Sequence, residues 1–268
     1  MDILIGSQGN DNLKGGDGND LLLGLAGDDT LEGGDGKDLL FGNDGNDTLI
    51  GDRGDDIMEG GSGDDRLIWN NGDGSDRMNG GDGYDVVEVN GGAADEQFVL
   101  QEQNGKAIFD RIDPFPFTLT VDGVEQFEVN GKAGNDSFVV KDLSNTYVEQ
   151  VIFNGGEGND TLDASETNVK VIADGGAGED YLVGGFGDDL LRGGDGNDFL
   201  AGGEGNDTLI GDRGDDIMEG GKGDDRLIWN PGDGSDIMSG GEGYDVVEVN
   251  GGNAGEEFLL QKDANWSD

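Results

Sequence analysis

Through two long stretches of the chain an apolar side chain returns at every ninth position. Leu13, Leu22, Leu31, Leu40, Leu49, Met58 and Leu67 form the first series, and Leu182, Leu191, Leu200, Leu209, Met218 and Leu227 the second. Two residues ahead of each stands an aspartate: Asp11, Asp20, Asp29, Asp38, Asp47, Asp56 and Asp65, then Asp180, Asp189, Asp198, Asp207, Asp216 and Asp225. The phrase GGDGNDLLL (15–23) shows the full unit, with glycine at positions one, two and four, Asp at six and the inward apolar residue at eight. A period of nine matches neither the 3.6 of a helix nor the plain alternation of a long strand. It predicts a three-residue strand whose middle side chain points inward, followed by a tight turn, repeated as a solenoid. Glycines at positions one, two and four are expected to supply positive φ and close backbone approach. Asn43, Asp52 and Asp212, which replace the second glycine, tolerate the left-handed region; Leu25 at the same position does not fit.

A longer period lies above the short one. Residues 47–70 return at 207–230 with one change, Ser62 to Lys222, and GYDVVEVNGG at 83–92 returns at 243–252, giving a unit of 160 residues. The second copy stops partway, so the chain reads as a piece of a longer tandem array. We divide it into a repeat block over 1–92, a β-rich linking element over 93–150 and a second block over 151–268. The middle segment loses the nine-residue beat. It reads as a hairpin turning at Asn104-Gly105, then an extended stretch turning near Asp122-Gly123. Residues 87–100 align with 127–140 at an offset of 40, which favours a hairpin excursion from a continuing solenoid over a small β-cap between two rolls. Asp136, Asp160 and Asp180 then follow as wider rungs. Asp76, Asp85, Asp236 and Asp245 extend the rows beyond a two-residue insertion at each WN, where Trp69 and Trp229 stand with Tyr84 and Tyr244 downstream. An apolar lid over a bulged rung is the favoured role for the two tryptophans; a sugar-stacking platform is the alternative.

Composition sharpens the picture. Of 268 residues 56 are glycine, about three times the usual share, and 61 acidic residues face 15 basic ones for a net charge of −46. One apolar residue per nine makes a thin core, and charge of this size opposes compaction unless cations neutralise it. Nucleic acid is therefore not an expected partner, and multivalent cations are. Without Cys or His the chain has no disulfide, thiolate, imidazole ligand or histidine base. No basic-then-apolar leader opens it, and no 18-residue apolar run is present, so a soluble chain without membrane insertion is expected. Dozens of carboxylates follow a period and none is singled out as a catalytic pair. No Walker A sequence occurs, so the reading is non-enzymatic.

GGDGNDLLL, GGEGNDTLI and GGDGNDFLA resemble the calcium-binding nonapeptide of the RTX (repeats-in-toxin) family, G-G-x-G-x-D-x-U-x, over most of 6–90 and 155–250. The resemblance implies an all-β fold, the parallel β-roll. This is a right-handed β-solenoid with glycine-rich calcium-binding turns, interrupted here by an irregular β-hairpin insertion. It implies two nonapeptides per turn, so that Asp11 faces Asp29, Asp20 faces Asp38, Asp29 faces Asp47, Asp38 faces Asp56 and Asp47 faces Asp65. In the second block Asp180 faces Asp198, Asp189 faces Asp207, Asp198 faces Asp216 and Asp207 faces Asp225. Calcium would be held by these carboxylates, by Asp76, Asp85, Asp136, Asp160, Asp236 and Asp245 in the extended rows, and by backbone carbonyls of Gly15, Gly18, Gly33, Gly36, Gly193, Gly196, Gly202 and Gly205. About 9–15 ions are expected. Position five, which mixes Asn, Asp, Lys37 and Glu179, is expected to face solvent. The resemblance further implies a secreted or cell-surface bacterial protein exported by type I secretion and folding on extracellular calcium. The alternative is a spacer or ligand-binding segment of an adhesin or surface-layer protein, with a glycan or cell-surface partner reached through flanking domains.

Overall fold

The computed structural model describes residues 1–252. Two sheets run side by side, one of 14 strands and one of 12, and outside the middle of the chain successive strands alternate between them. Outside the middle, each strand pairs in parallel with the strand two repeats away. Leu22 lies beside Leu40, Leu40 beside Met58, Leu13 beside Leu31 and Leu31 beside Leu49. The result is a parallel β-solenoid of about a dozen turns, as the nine-residue beat requires. Position eight points between the sheets: Leu22, Leu31, Leu40, Leu49, Met58 and Leu67 are fully buried, as are their counterparts Leu182 to Leu227.

Thr48–Ile50, Thr161–Asp163 and Tyr181–Val183 have the predicted three residues, and most other strands are longer. Leu21–Ala26 continues past the apolar triplet into the next repeat's turn. Its pairing covers Leu21 to Leu23, skips Gly24 and resumes at Leu25 and Ala26. Positive φ occurs at positions two and four, as at Gly34 (104°) and Gly36 (159°), and not at position one. The position-one glycines are required for a different reason, given below. Asn43, Asp52 and Asp212 occupy positive φ as expected, and so does Leu25 at 85°, for which nothing in the structure accounts.

Both sheets pass through the middle without a break. In the 12-stranded sheet, Val86–Asn90 pairs directly with Gln126–Ala133, Val87 beside Phe127. In the 14-stranded sheet the chain makes a three-stranded meander. Gln97–Gln103 turns at Asn104-Gly105, where both residues have positive φ, into the antiparallel strand Lys106–Asp113. A second reversal, through Pro114, Phe115 and Pro116, leads to Phe117–Asp122, which pairs in parallel with Arg77–Asp82. The expected hairpin is therefore an excursion within the solenoid, with one more strand reversal than the sequence suggested. Three strands stand where one turn contributes one, making this face locally about 10 Å longer than the other. Aromatic residues fill the enlarged interior. Trp69 stacks on Phe117 at 3.8 Å, and Phe109 lies within 5.4–6.2 Å of Phe98, Phe117, Phe127 and Phe138.

Candidate metal sites

The position-six aspartate ends each turn and begins each strand, so alternation places its side chain on the same side as the buried position eight. In the regular turns the main-chain N–H of one such aspartate donates to Oδ1 of the aspartate one turn later. Asp11 N–H reaches Asp29 at 2.8 Å, Asp20 reaches Asp38 at 2.7 Å, Asp29 reaches Asp47 at 2.7 Å and Asp38 reaches Asp56 at 2.7 Å. The pairs Asp47 with Asp65, Asp180 with Asp198, Asp189 with Asp207, Asp198 with Asp216, and Asp207 with Asp225 repeat the bond at 2.8–2.9 Å. All nine facing pairs meet in this way. The rows continue across the insertions from Asp56 to Asp76, Asp65 to Asp85, Asp216 to Asp236 and Asp225 to Asp245, and through the middle from Asp136 to Asp160 and Asp160 to Asp180.

This bond uses one oxygen only. In sixteen of these aspartates (Asp20, Asp29, Asp38, Asp47, Asp56, Asp65, Asp76, Asp85, Asp136, Asp160, Asp180, Asp198, Asp207, Asp216, Asp225 and Asp236) Oδ2 is buried with no hydrogen-bond partner. A native interior rarely leaves polar atoms in that state, and here it recurs turn after turn. Three residues behave differently. Asp11 Oδ2 accepts from Ser7 N–H, Asp189 Oδ2 accepts from Gly185 N–H at 2.7 Å, and Asp245 is only partly buried.

The position-one glycines border the orphaned oxygens. A Cβ on Gly33 would lie 2.6 Å from Asp38 Oδ2 and 2.7 Å from the carbonyl oxygen of Gly51, one turn later. Carboxylate and carbonyl thus converge on one cradle, which any side chain would fill. The predicted carbonyls of Gly33, Gly193 and Gly202 sit in this arrangement, beside Asp20, Asp180 and Asp189, and Gly15 itself borders the first of these cradles. Those of Gly18, Gly36, Gly196 and Gly205 lie against the position-four glycine of the next turn. At Gly54, which meets the Gly36 carbonyl, a Cβ would stand 3.0 Å from Asp56 Oδ1.

Burial pushes the carboxyl groups up from 3.8. Desolvation is the largest cause throughout, opposed by the accepted backbone hydrogen bond and reinforced by neighbouring carboxylates. Asp76 reaches about 8, and Asp56, Asp65, Asp136, Asp207 and Asp216 reach about 7. Asp85, Asp180, Asp189 and Asp198 rise to about 6. Bare and dry, these groups ionise only at a cost, which a cation would offset. Among the described residues no three carboxylates converge on one point. A site here therefore draws on carboxylate and carbonyl oxygens together, a hard-oxygen set of the kind that suits calcium. The residues present fit that ion.

Sequence reasoning missed three features. Glu96 and Glu125 occupy position-six places in the middle segment: Glu96 N–H donates to Asp136 Oδ1 and Asp85 N–H to Glu125 Oε2, both at 2.8 Å. An offset of 40 puts Glu96 opposite Asp136 and Glu125 opposite Asp85, which was the available signal for both. Position five faces solvent as expected, yet it forms an outer ladder. The side-chain oxygens of Asn10, Asp28 and Asn46 accept from the main-chain N–H of Asp28, Asn46 and Asp64. The preference for Asn and Asp at that position was its trace in the sequence. Third, the two tryptophans differ. Trp69 is fully buried with its indole N–H on the Gly74 carbonyl at 3.0 Å, which excludes a stacking platform there. Trp229 makes the same bond to Gly234 while half-buried.

The sequence profile of the RTX calcium-binding nonapeptide repeat matches residues 1–31, 32–67, 70–93, 152–168, 174–209, 192–227 and 231–253. These matches span more than half of the chain, and the chain belongs to that family. It is a calcium-binding repeat module. No curated protein sequence matched the chain.

Proposed function

We propose that the chain is a calcium-dependent folding and structural module of a larger bacterial protein, exported by type I secretion and acting outside the cell or on its surface. The recurring orphaned Oδ2 carries this reading. Asp20, Asp29, Asp38, Asp47, Asp56, Asp65, Asp76 and Asp85 in block 1–92, Asp136 in the middle segment 93–150, and Asp160, Asp180, Asp198, Asp207, Asp216, Asp225 and Asp236 in block 151–268 would hold the ions, joined by position-one carbonyls such as those of Gly33, Gly51 and Gly193. Bound calcium supplies positive charge and oxygen coordination where two turns meet. About 12 divalent ions would cancel about 24 of the 46 net negative charges. The carboxylates repel one another until then, so folding and binding are one event. Extracellular modules of this ligand type bind calcium at about 10⁻⁴–10⁻³ M, which separates the interior of a cell from its surroundings.

Far-UV circular dichroism of the chelator-stripped chain tests the reading. A coil-to-β transition with sub-millimolar to millimolar calcium, not reproduced by magnesium, supports it. A β-spectrum complete in chelator and unmoved by calcium removes it. The near-identity of 47–70 and 207–230 also favours a spacer role within an adhesin or surface-layer protein, whose glycan or cell-surface partner would be met by flanking domains.

A further inference from the structure

The first carboxylate row is cut between Asp76 and Glu96, because Lys106–Asp113 and Phe117–Asp122 stand in the sheet between them. Glu96 therefore starts the second part of the row with no preceding turn above it. Its carboxylate is nevertheless the one fully satisfied member of the row's middle. Oε2 accepts from Gly92 N–H at 2.9 Å, and Oε1 accepts from Arg111 Nη1 at 2.7 Å. The ion pair is dry, with side chains 3% and 1% exposed. Arg111, on the inserted strand Lys106–Asp113, has its other donors occupied too: Nη1 reaches Asn71 Oδ1 at 2.7 Å, and Nε and Nη2 reach the Phe115 carbonyl at 3.1 and 3.0 Å. Its guanidinium lies 5.2 Å from the Trp69 ring centre and 4.9 Å from that of Phe117, close enough for cation–π attraction.

We propose that this meander is a calcium-independent seed, in which the guanidinium of Arg111 neutralises Glu96 at Oε1, on the side of the missing turn, while Gly92 N–H satisfies Oε2, the oxygen that borders the Gly91 cradle, so that no cation is needed there. The inference rests on the reading that those turns need calcium. Two further observations point the same way. Among the described residues no orphaned carboxylate oxygen falls between Asp85 and Asp136, so this segment folds without leaving a bare buried charge. Its interior face is aromatic: Phe98, Phe109 and Phe117 pack in one cluster with Trp69, Phe127 and Phe138 of the flanking strands, whereas the regular nonapeptides bury one aliphatic side chain each. Aromatic burial at this density pays the ordering cost that a single leucine per nonapeptide does not. The open strands on either side, Arg77–Asp82 and Ser137–Val140, then serve as templates onto which the repeat turns add as calcium arrives.

Hydrogen exchange read by mass spectrometry on the whole chain, with and without chelator, tests the proposal. In chelator, amides of 97–122 are expected to exchange at least ~100-fold more slowly than those of 21–62 and 190–227. Calcium should then bring the repeats to the same protection. Arg111→Met should abolish the protection of 97–122 in chelator, while calcium still protects the repeats. Arg111→Lys, which keeps the charge and loses the forked geometry, should show partial protection. If 97–122 exchanges as freely as the repeats in chelator, and calcium protects all of them together, the seed is wrong and calcium-driven folding stands. Uniform protection in chelator would remove the calcium reading and the seed with it. Unchanged protection of 97–122 in Arg111→Met would overturn the role given to the guanidinium.

Discussion

At position six two oxygens of one carboxylate have separate tasks, and substitutions can part them. Asp47 Oδ1 holds the main-chain N–H of Asp29, while Oδ2 has no partner. Asp47→Asn can keep the first bond and loses the charge. Calcium titrations should show a weaker midpoint, about tenfold at that site, and one fewer ion bound. Asp47→Ala loses both functions and should cost more than the Asn variant under every condition. Gly33→Ala places a methyl group into the cradle beside Asp38 Oδ2 and should weaken calcium-induced folding with no charge altered. The raised pKa values give a second handle. Without metal the folded state holds protons that the unfolded chain has released, so stability falls as pH rises from about 4, mostly through about 7 and for Asp76 through about 8. In chelator, therefore, β-structure should grow as pH drops from about 7 to about 4. In calcium the order reverses, because protons compete for the same oxygens; circular dichroism across this range in both buffers checks the sign. Position six was legible in the sequence because its residue type never varies in the regular copies. The ladder at position five left only a preference for Asn and Asp, because an exposed Asn that accepts a main-chain N–H looks the same as an exposed Asn that does nothing.

At the scale of the element, the period of nine was enough to place strands, turns and core, since Leu22, Leu40 and Leu209 can reach the interior in one register only. Leu209→Ala should destabilise the calcium-bound form by about 2–5 kcal/mol, read as a shift in denaturant midpoint. What the pattern could not show is where three strands replace one. Alternation in 97–122 predicts extended chain and the Asn104-Gly105 turn, but the second reversal lies in a proline-containing turn without a paired glycine. Arg111 was hidden for the same reason. A charged residue in an alternating strand reads as outward-facing, and here it points inward to Glu96. The two tryptophans offer a comparison within one molecule. Trp69→Ala removes the ring stacked on Phe117 and should cost about 3–5 kcal/mol, more than Trp229→Ala, whose side chain is half-buried. Denaturant melts of both variants in calcium decide this.

For the whole molecule the governing quantity is charge. The net charge of −46 has two parts with different chemistry: exposed carboxylates that any salt screens, and buried orphaned oxygens that bulk salt does not reach. Sodium chloride at about 1 M should therefore fail to fold the metal-free repeats, although it shortens the screening length to about 3 Å. Magnesium should fail as well, since it keeps its water and demands a tighter octahedron than two oxygens at the border of a cradle invite. The stacked turns share every carboxylate row, so neighbouring sites prepare one another and binding along each row should be cooperative.

The most direct measurement is a crystal structure grown in calcium, with the ions located by their anomalous scattering. About 9–15 peaks are expected in the cradles that the orphaned Oδ2 atoms border, each about 2.3–2.6 Å from its carboxylate and carbonyl oxygens, and none beside Glu96 and Arg111. Rows of Oδ2 atoms capped by protein or water alone, with no metal peak between the turns, would contradict the calcium reading.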